Sequence, residues 1–282
     1  MTLKNDRRLA FVLLAVCFSG SLFAQRQPLR IFIRSSEKTH GAADNGSHDY
    51  PAFLSAWTKL LSDRGAIVSG GERFPSADEL AKTDVLINYS SDGANHTPEE
   101  RGLLEQYVKG GGGIVVIHDG MCGKDPQWYA SIVGGAKQHG ERNSHHAAMK
   151  FHIEDPANPI VKGISDFDFD DEMFFLLRAE GLAPGADGKP TMWTSGLKVS
   201  PDIHVLATTP DPQGNIVPQL WTYQHTAPGG KPYRAFVTLE GHSAASFNVP
   251  QYQTILLRGI AWAGKHPVDE LLSPAGSAKQ QP

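Results

Sequence analysis

Three histidines of this chain stand where a folded α/β sheet would gather its chemistry. His118 closes the run Gly110-Gly111-Gly112-Gly113-Ile114-Val115-Val116-Ile117, in which four β-branched residues bounded by glycine suit a central parallel strand buried on both faces. His242 follows Val237-Thr238-Leu239-Glu240-Gly241, and His48 follows the polar loop after an apolar run from Leu29 to Ile33. In open α/β sheets ligands collect beyond the carboxyl ends of the strands, so if these strands run parallel the three imidazoles share one rim. An imidazole placed there serves as a base, as a metal ligand, or only as a partner for a nearby carbonyl.

Carboxylates join the imidazoles. Asp119 follows His118 directly, and Asp168, Asp170, Asp171 and Glu172 are interleaved with Phe167, Phe169, Met173, Phe174 and Phe175. Acids held against an apolar wall have raised pKa values, as a general acid requires. His118, Glu172 and His242 are the candidate catalytic residues, and His118, His145, Glu172 and His242 the candidate ligands of a divalent metal, zinc first. Their spacing is not a local metal motif, so hydrogen bonding to substrate hydroxyls stands as the alternative. His48, Asp49, Tyr50, Asp119 and Trp221 are candidate substrate-binding residues. Trp128, Tyr129, Trp193, Trp221, Tyr223 and Tyr50 could offer flat faces to a sugar or fill the core. Cys122 reads either as a nucleophile or as a small buried packing residue. No nucleotide cofactor is expected.

The elements that must position these groups are legible in outline. After the strand ending at Ile33, Pro51 opens a helix whose Phe53, Leu54, Trp57, Leu60 and Leu61 recur at helical spacing up to Arg64-Gly65. Short strands follow at Ala66 to Ser69 and Val85 to Tyr89. Thr97-Pro98-Glu99-Glu100 has the form of a capping box with proline at the first helical position, and the tetraglycine turns this helix into the strand ending at His118. The second half is richer in strand signal, at Met149 to Ile153, Ile203 to Thr208, Pro218 to Tyr223 and Arg234 to Leu239, before a helix from Pro250 to Ala263. The expected fold is α/β: a doubly wound, mainly parallel central sheet flanked by helices, with extra β elements in the second half. One domain is expected over residues 25–266, with a flexible tail over 267–282.

Composition bounds the partners. The chain has 282 residues, 40% of them hydrophobic, a net charge of -4 and 12 histidines, which is globular, and its scattered Lys and Arg residues lack the footprint of a nucleic-acid surface. Lys4, Arg7 and Arg8 before the apolar run Leu9 to Phe18 have the layout of a secretory signal peptide cleaved after Ala24. That run is too short for a good membrane span, so a periplasmic or secreted protein is expected; a retained anchor and a lipid anchor at Cys17 are the alternatives. Cleavage leaves Cys122 as the one cysteine, so stability must come from a core rather than a disulfide.

His48-Asp49-Tyr50-Pro51, the strand and turn ending at His118, Asp171-Glu172, Val217-Pro218-Gln219-Leu220-Trp221-Thr222-Tyr223, Thr238-Leu239-Glu240-Gly241-His242 and Leu256-Leu257-Arg258-Gly259-Ile260-Ala261-Trp262 together resemble the ThuA-like, or trehalose-utilisation, proteins. The resemblance runs over nearly the whole mature chain and implies a class I glutamine amidotransferase-like, flavodoxin-like α/β fold. In amidotransferases the elbow after the central strand carries a catalytic cysteine; here His118 stands in that region and Cys122 beyond it, which argues against glutamine hydrolysis. Asn158-Pro159-Ile160 stands where His-Pro-Ile is expected, so no role of that histidine carries over. The resemblance implies work on disaccharides and oxidised, 3-keto sugars. The expectation is therefore an exported carbohydrate-active enzyme that cleaves or isomerises a keto-sugar or glycoside, or else a non-catalytic periplasmic sugar-binding or accessory protein.

Overall fold

The computed structural model describes residues 26–42 and 45–275; the signal-peptide segment lies outside them. In chain order the elements are β1 (Arg30–Arg34), α1 (Tyr50–Ser62), β2 (Ile67–Gly71), α2 (Ala77–Leu80), β3 (Val85–Asn88), α3 (Pro98–Lys109), β4 (Gly113–Ile117), β5 (Cys122–Gly123), α4 (Pro126–Val133), β6 (Gly135–Gln138), β7 (Ser144–Ile153), β8 (Phe167–Phe174), β9 (Arg178–Ala179), β10 (Ile203–Pro210), β11 (Ile216–Thr226), β12 (Pro232–Thr238) and α5 (Pro250–Ala263). Nine strands form one sheet in the order β2-β1-β3-β4-β12-β11-β10-β7-β8, and β5, β6 and β9 form a small second sheet.

The large sheet is parallel from β2 to β12 and antiparallel through all the ladders from β12 to β8. The expected mainly parallel sheet is thus mixed, because strand direction is not written in the local pattern of a buried strand. Alternation assigns the two faces of the parallel half. Ile31, Ile33, Ile87, Val115 and Ile117 pack in one core with Phe53, Trp57, Ile255 and Leu256 of α1 and α5. Phe32, Leu86, Ile114 and Val116 pack in a second core with Leu80, Leu104, Tyr107 and Ala130 of α2, α3 and α4. Burial on both sides of the parallel strands is what continuous β-branched runs require.

Local chemistry sets the helix starts. Thr97 accepts from the Glu100 amide while Glu100 accepts from the Thr97 amide, completing the expected capping box. Residues 267–275, expected to begin a loose tail, are docked: Leu271 is buried, Arg258 bonds Asp269 at 2.7 Å, and the Ala275 amide reaches the Asp63 carbonyl at 2.9 Å. Among the described residues no helix is long and apolar enough to cross a membrane.

Candidate functional site

β4 ends at Ile117 and the chain turns at once. His118 takes φ 49°, a conformation costly for a side chain with a Cβ, and begins a single 3-10 turn, His118–Met121. The turn packs tightly on β3. A Cβ on Gly120 would meet the Asn88 carbonyl oxygen at 2.2 Å, and the Asn88 side-chain amide donates to the carbonyls of Gly120 and Gly93, each at 2.9 Å. His48, on the loop after β1, is also left-handed, at φ 45°.

That loop is laced to the loop after β12. His48 N–H donates to the His242 carbonyl at 2.8 Å, Ala244 N–H to the Gly46 carbonyl at 2.7 Å, and Ser47 bridges Ser243 in antiparallel fashion. Asp171 on β8 fixes the third side. Its buried carboxylate accepts from the Glu172 amide at 2.6 Å, the Gly241 amide at 3.0 Å, the His242 amide at 3.1 Å and the Ser246 hydroxyl. One carboxylate thereby orients both Glu172 and His242.

The result is a compact set of donors. His48 Nε2 lies 3.0 Å from His118 Nε2, His242 Nδ1 2.9 Å from Glu172 Oε2, and that oxygen 3.4 Å from His118 Nε2. One ligand atom from each of His48, His118, Glu172 and His242 falls within 4.8 Å of all the others. Outer bonds hold the rings: His118 Nδ1–H donates to the Leu239 carbonyl at 2.7 Å, and His48 Nδ1 sits 3.3 Å from the Thr39 hydroxyl and 3.4 Å from Asp119 Oδ2. Partners on the outer nitrogens turn the Nε2 atoms inward, the arrangement that orients histidine ligands.

Electrostatics separates the two facing rings. Burial and the neighbouring His118 push His48 down to about 3. Burial also opposes charge on His118, but Glu172, Asp119 and Asp171 together outweigh it and raise His118 to about 9. Without a cation, His118 therefore carries the proton, its Nε2–H facing Glu172 Oε2 at 3.4 Å and neutral His48 Nε2 at 3.0 Å. Two bare Nε2 lone pairs at 3.0 Å would repel; a shared proton or one cation bound to both removes that repulsion. Three imidazole nitrogens and a carboxylate oxygen are a donor set for a divalent transition metal, so these residues could hold one.

Glu172 departs from expectation. It is partly buried, yet the hydrogen bonds of His118 and His242 overcome that burial and hold its pKa below the usual range, so it is a carboxylate and not an acid. The raised carboxyl is Glu240. Burial pushes it up to about 8; its Oε2 accepts from the Thr238 hydroxyl at 2.7 Å, and its Oε1 has no partner among the described residues.

Of the other residues singled out from sequence, Tyr50 and Asp119 join the site, the Tyr50 hydroxyl donating to Asp119 Oδ2 at 2.9 Å. Asp49 instead caps α1, accepting from the Ala52 amide at 3.1 Å. Trp221 lies in the core, its indole N–H on the Val133 carbonyl at 3.0 Å and its ring edge-on to Trp193. His145 is outside the donor set, and His146 is the residue beside it: paired in register with Glu172 across β7 and β8, its ring is 4.4 Å from that of His242. Period-2 alternation turns adjacent residues to opposite faces, so only the strand register distinguishes these two. His40, its ring 4.1 Å from that of His48, was likewise not singled out. Cys122 is buried, with its thiol pushed well up by burial, which suits packing. A separate cavity of about 510 Å³, lined by Arg30, Asp84, Tyr107 and Lys265, opens by the start of β1 and β4, the end away from His118.

Comparisons with known proteins agree with this architecture. The family model for ThuA, described as trehalose utilisation, matches residues 44–263. A ThuA-like protein from Bacteroides uniformis ATCC 8492 superposes with a TM-score of 0.56 at 14% identity, covering 88% of this chain and 98% of that one. The mmIFT52 N-terminal domain superposes with a TM-score of 0.50 at 13% identity, covering 83% of this chain and 96% of that one. At these identities the likeness is one of fold. The curated proteins give no match.

Proposed function

The chain belongs to the ThuA, trehalose-utilisation family, and from this premise we propose that it is an exported, metal-assisted enzyme acting on keto-sugars or glycosides, by cleavage or isomerisation of a 3-keto-glycoside. The observation that carries this reading is the convergence of His48, His118, Glu172 and His242 within 4.8 Å at the rim of the sheet. Those four residues would hold the ion, with zinc the first candidate from the nitrogen-rich donor set. Bound there, a divalent cation supplies Lewis-acid polarisation of a carbonyl oxygen.

The chain's own groups supply the rest. A carbonyl at C3 acidifies the C2–H bond, and loss of that proton allows the C1 substituent to depart, so the site must offer a base and hold the sugar ring. Tyr50, fully buried with its pKa raised by burial and by Asp119, keeps its proton and holds Asp119, whose partly exposed carboxylate can accept from a sugar hydroxyl. The amidotransferase-type alternative has little support, because the elbow residue is His118 and the Cys122 thiol is buried and neutral.

Metal analysis of purified protein and turnover of 3-keto-glucosides by wild type and His118→Ala test the reading. We expect about one divalent ion per chain, lost in the variant together with activity, by about 100-fold or more. Metal-free wild type and an unimpaired variant would overturn it. Sugar binding without turnover would make the protein a binding or accessory protein instead.

A further inference from the structure

Resting on that reading, we propose that His146 is the catalytic base that takes the proton from the carbon beside the substrate carbonyl. His118 Nδ1 is tied to the Leu239 carbonyl, His48 Nδ1 stands against Thr39 and Asp119, and His242 Nδ1 is bonded to Glu172. The inward nitrogens of His48 and His118 belong to the donor set. Asp119 accepts from Tyr50 and Cys122. Of the two rim imidazoles, His40 has its Nδ1 on the Thr39 hydroxyl at 3.0 Å.

His146 shares its exposure with His40 but differs from all of these in its ring nitrogens. It is exposed, it faces Glu172 across the β7–β8 ladder, and its ring stands edge-on to His242 at 4.4 Å and 88°. Neither of its ring nitrogens meets a hydrogen-bond or ion-pair partner among the described residues. It therefore stands at the open side of the donor cluster, rooted in a strand rather than a loop, with a nitrogen free for substrate.

The step balances within substrate and side chain. The C2–H electron pair becomes the C2–C3 bond of an enolate as the proton passes to the His146 imidazole. The enolate then reforms the carbonyl, a C1–C2 double bond forms, the C1–O bond breaks, and the departing oxygen takes the proton from the imidazolium. The products are an enone sugar and the free alcohol, and no oxidant or reductant enters.

The test compares His146→Gln with His145→Gln in metal-loaded protein. We expect His146→Gln to keep its metal content and melting temperature, to lose turnover of a 3-keto-glucoside by about 100-fold or more, to stop exchanging the C2 hydrogen with D2O, and to regain activity with added imidazole. His145→Gln should match the wild type in each respect. Carbethoxylation mapped by mass spectrometry adds a readout independent of turnover: His146 should react before His48, His118 and His242, and an unoxidised methyl glucoside should protect it. His146→Gln with wild-type turnover and exchange, or a His146 that the glucoside leaves unprotected, would overturn the assignment. If wild-type protein neither converts 3-keto-glucosides nor exchanges their C2 hydrogen, the underlying reading fails and this one with it.

Discussion

The point between His48 and His118 holds a proton or, under the proposed reading, would hold a cation, and the carboxylates around them decide which charge it favours. Glu172, Asp119 and Asp171 bias it toward positive charge, while Glu240, buried behind them, goes the opposite way. Burial raises its pKa from 4.5 to about 8, and among the described residues no donor compensates its Oε1. The sign of the consequence is fixed. Between pH 4.5 and about 8 the folded chain binds this proton and the unfolded chain does not, so stability falls as pH rises through that window and the slope vanishes above it. Glu240→Gln removes this slope. In chelator-treated protein the variant should gain on the wild type by about 2–4 kcal/mol between pH 5 and pH 8.5 in urea unfolding. Parallel curves for the two proteins would show that Glu240 ionises normally in the fold. Nothing in the local sequence marked this residue, because the pattern Thr238-Leu239-Glu240-Gly241 does not say whether the strand end is dry.

At the scale of elements, the elbow after β4 is the part that sequence described best. Glycines, a β-branched run and a histidine at its end identify a buried strand that stops at a site, and the structure adds the left-handed His118 and its contact with β3. Gly120→Ala tests how tightly that contact is set. A Cβ placed 2.2 Å from the Asn88 carbonyl must push the turn off β3, so a loss of about 2–3 kcal/mol is expected in chemical unfolding, as for overpacking in a core. The displaced His118 should also bind metal more weakly, read by chelator competition; unchanged stability and affinity would show an elbow with slack. His48 and β8 were harder to read. The ladder joining Gly46–His48 to His242–Ala244 involves loops far apart in sequence, so no local spacing could place His48 with the other donors. The acidic run at Asp168–Glu172 proved to be a strand, with Phe169, Asp171 and Met173 inward and Asp168 and Asp170 outward. Its period of two was present but crowded by charge.

For the whole molecule, the division into a parallel half and an antiparallel half explains why the site lies where it does. The parallel strands deliver His48 and His118 to one rim, as their hydrophobic runs foretell, while β12 turns back through β11, β10 and β7 to β8. Those antiparallel strands bring Asp171 and Glu172 against the loop after β12. Which aromatics face a ligand and which fill a core depends on this arrangement and was not readable from composition. Trp221 is the decisive case. Its position on β11 puts it beneath α4, with its N–H satisfied by Val133 and its ring against Trp193, so it serves the core on the α4 face and not a sugar. Trp221→Phe removes that hydrogen bond, strands the Val133 carbonyl and leaves space beside Trp193. The expected cost is about 1–3 kcal/mol of unfolding free energy, with the KM for a 3-keto-glucoside unchanged. An aromatic platform under a sugar would give the reverse, a raised KM at unaltered stability. Measuring both quantities on the one variant therefore separates a tryptophan of the core from a tryptophan of the site.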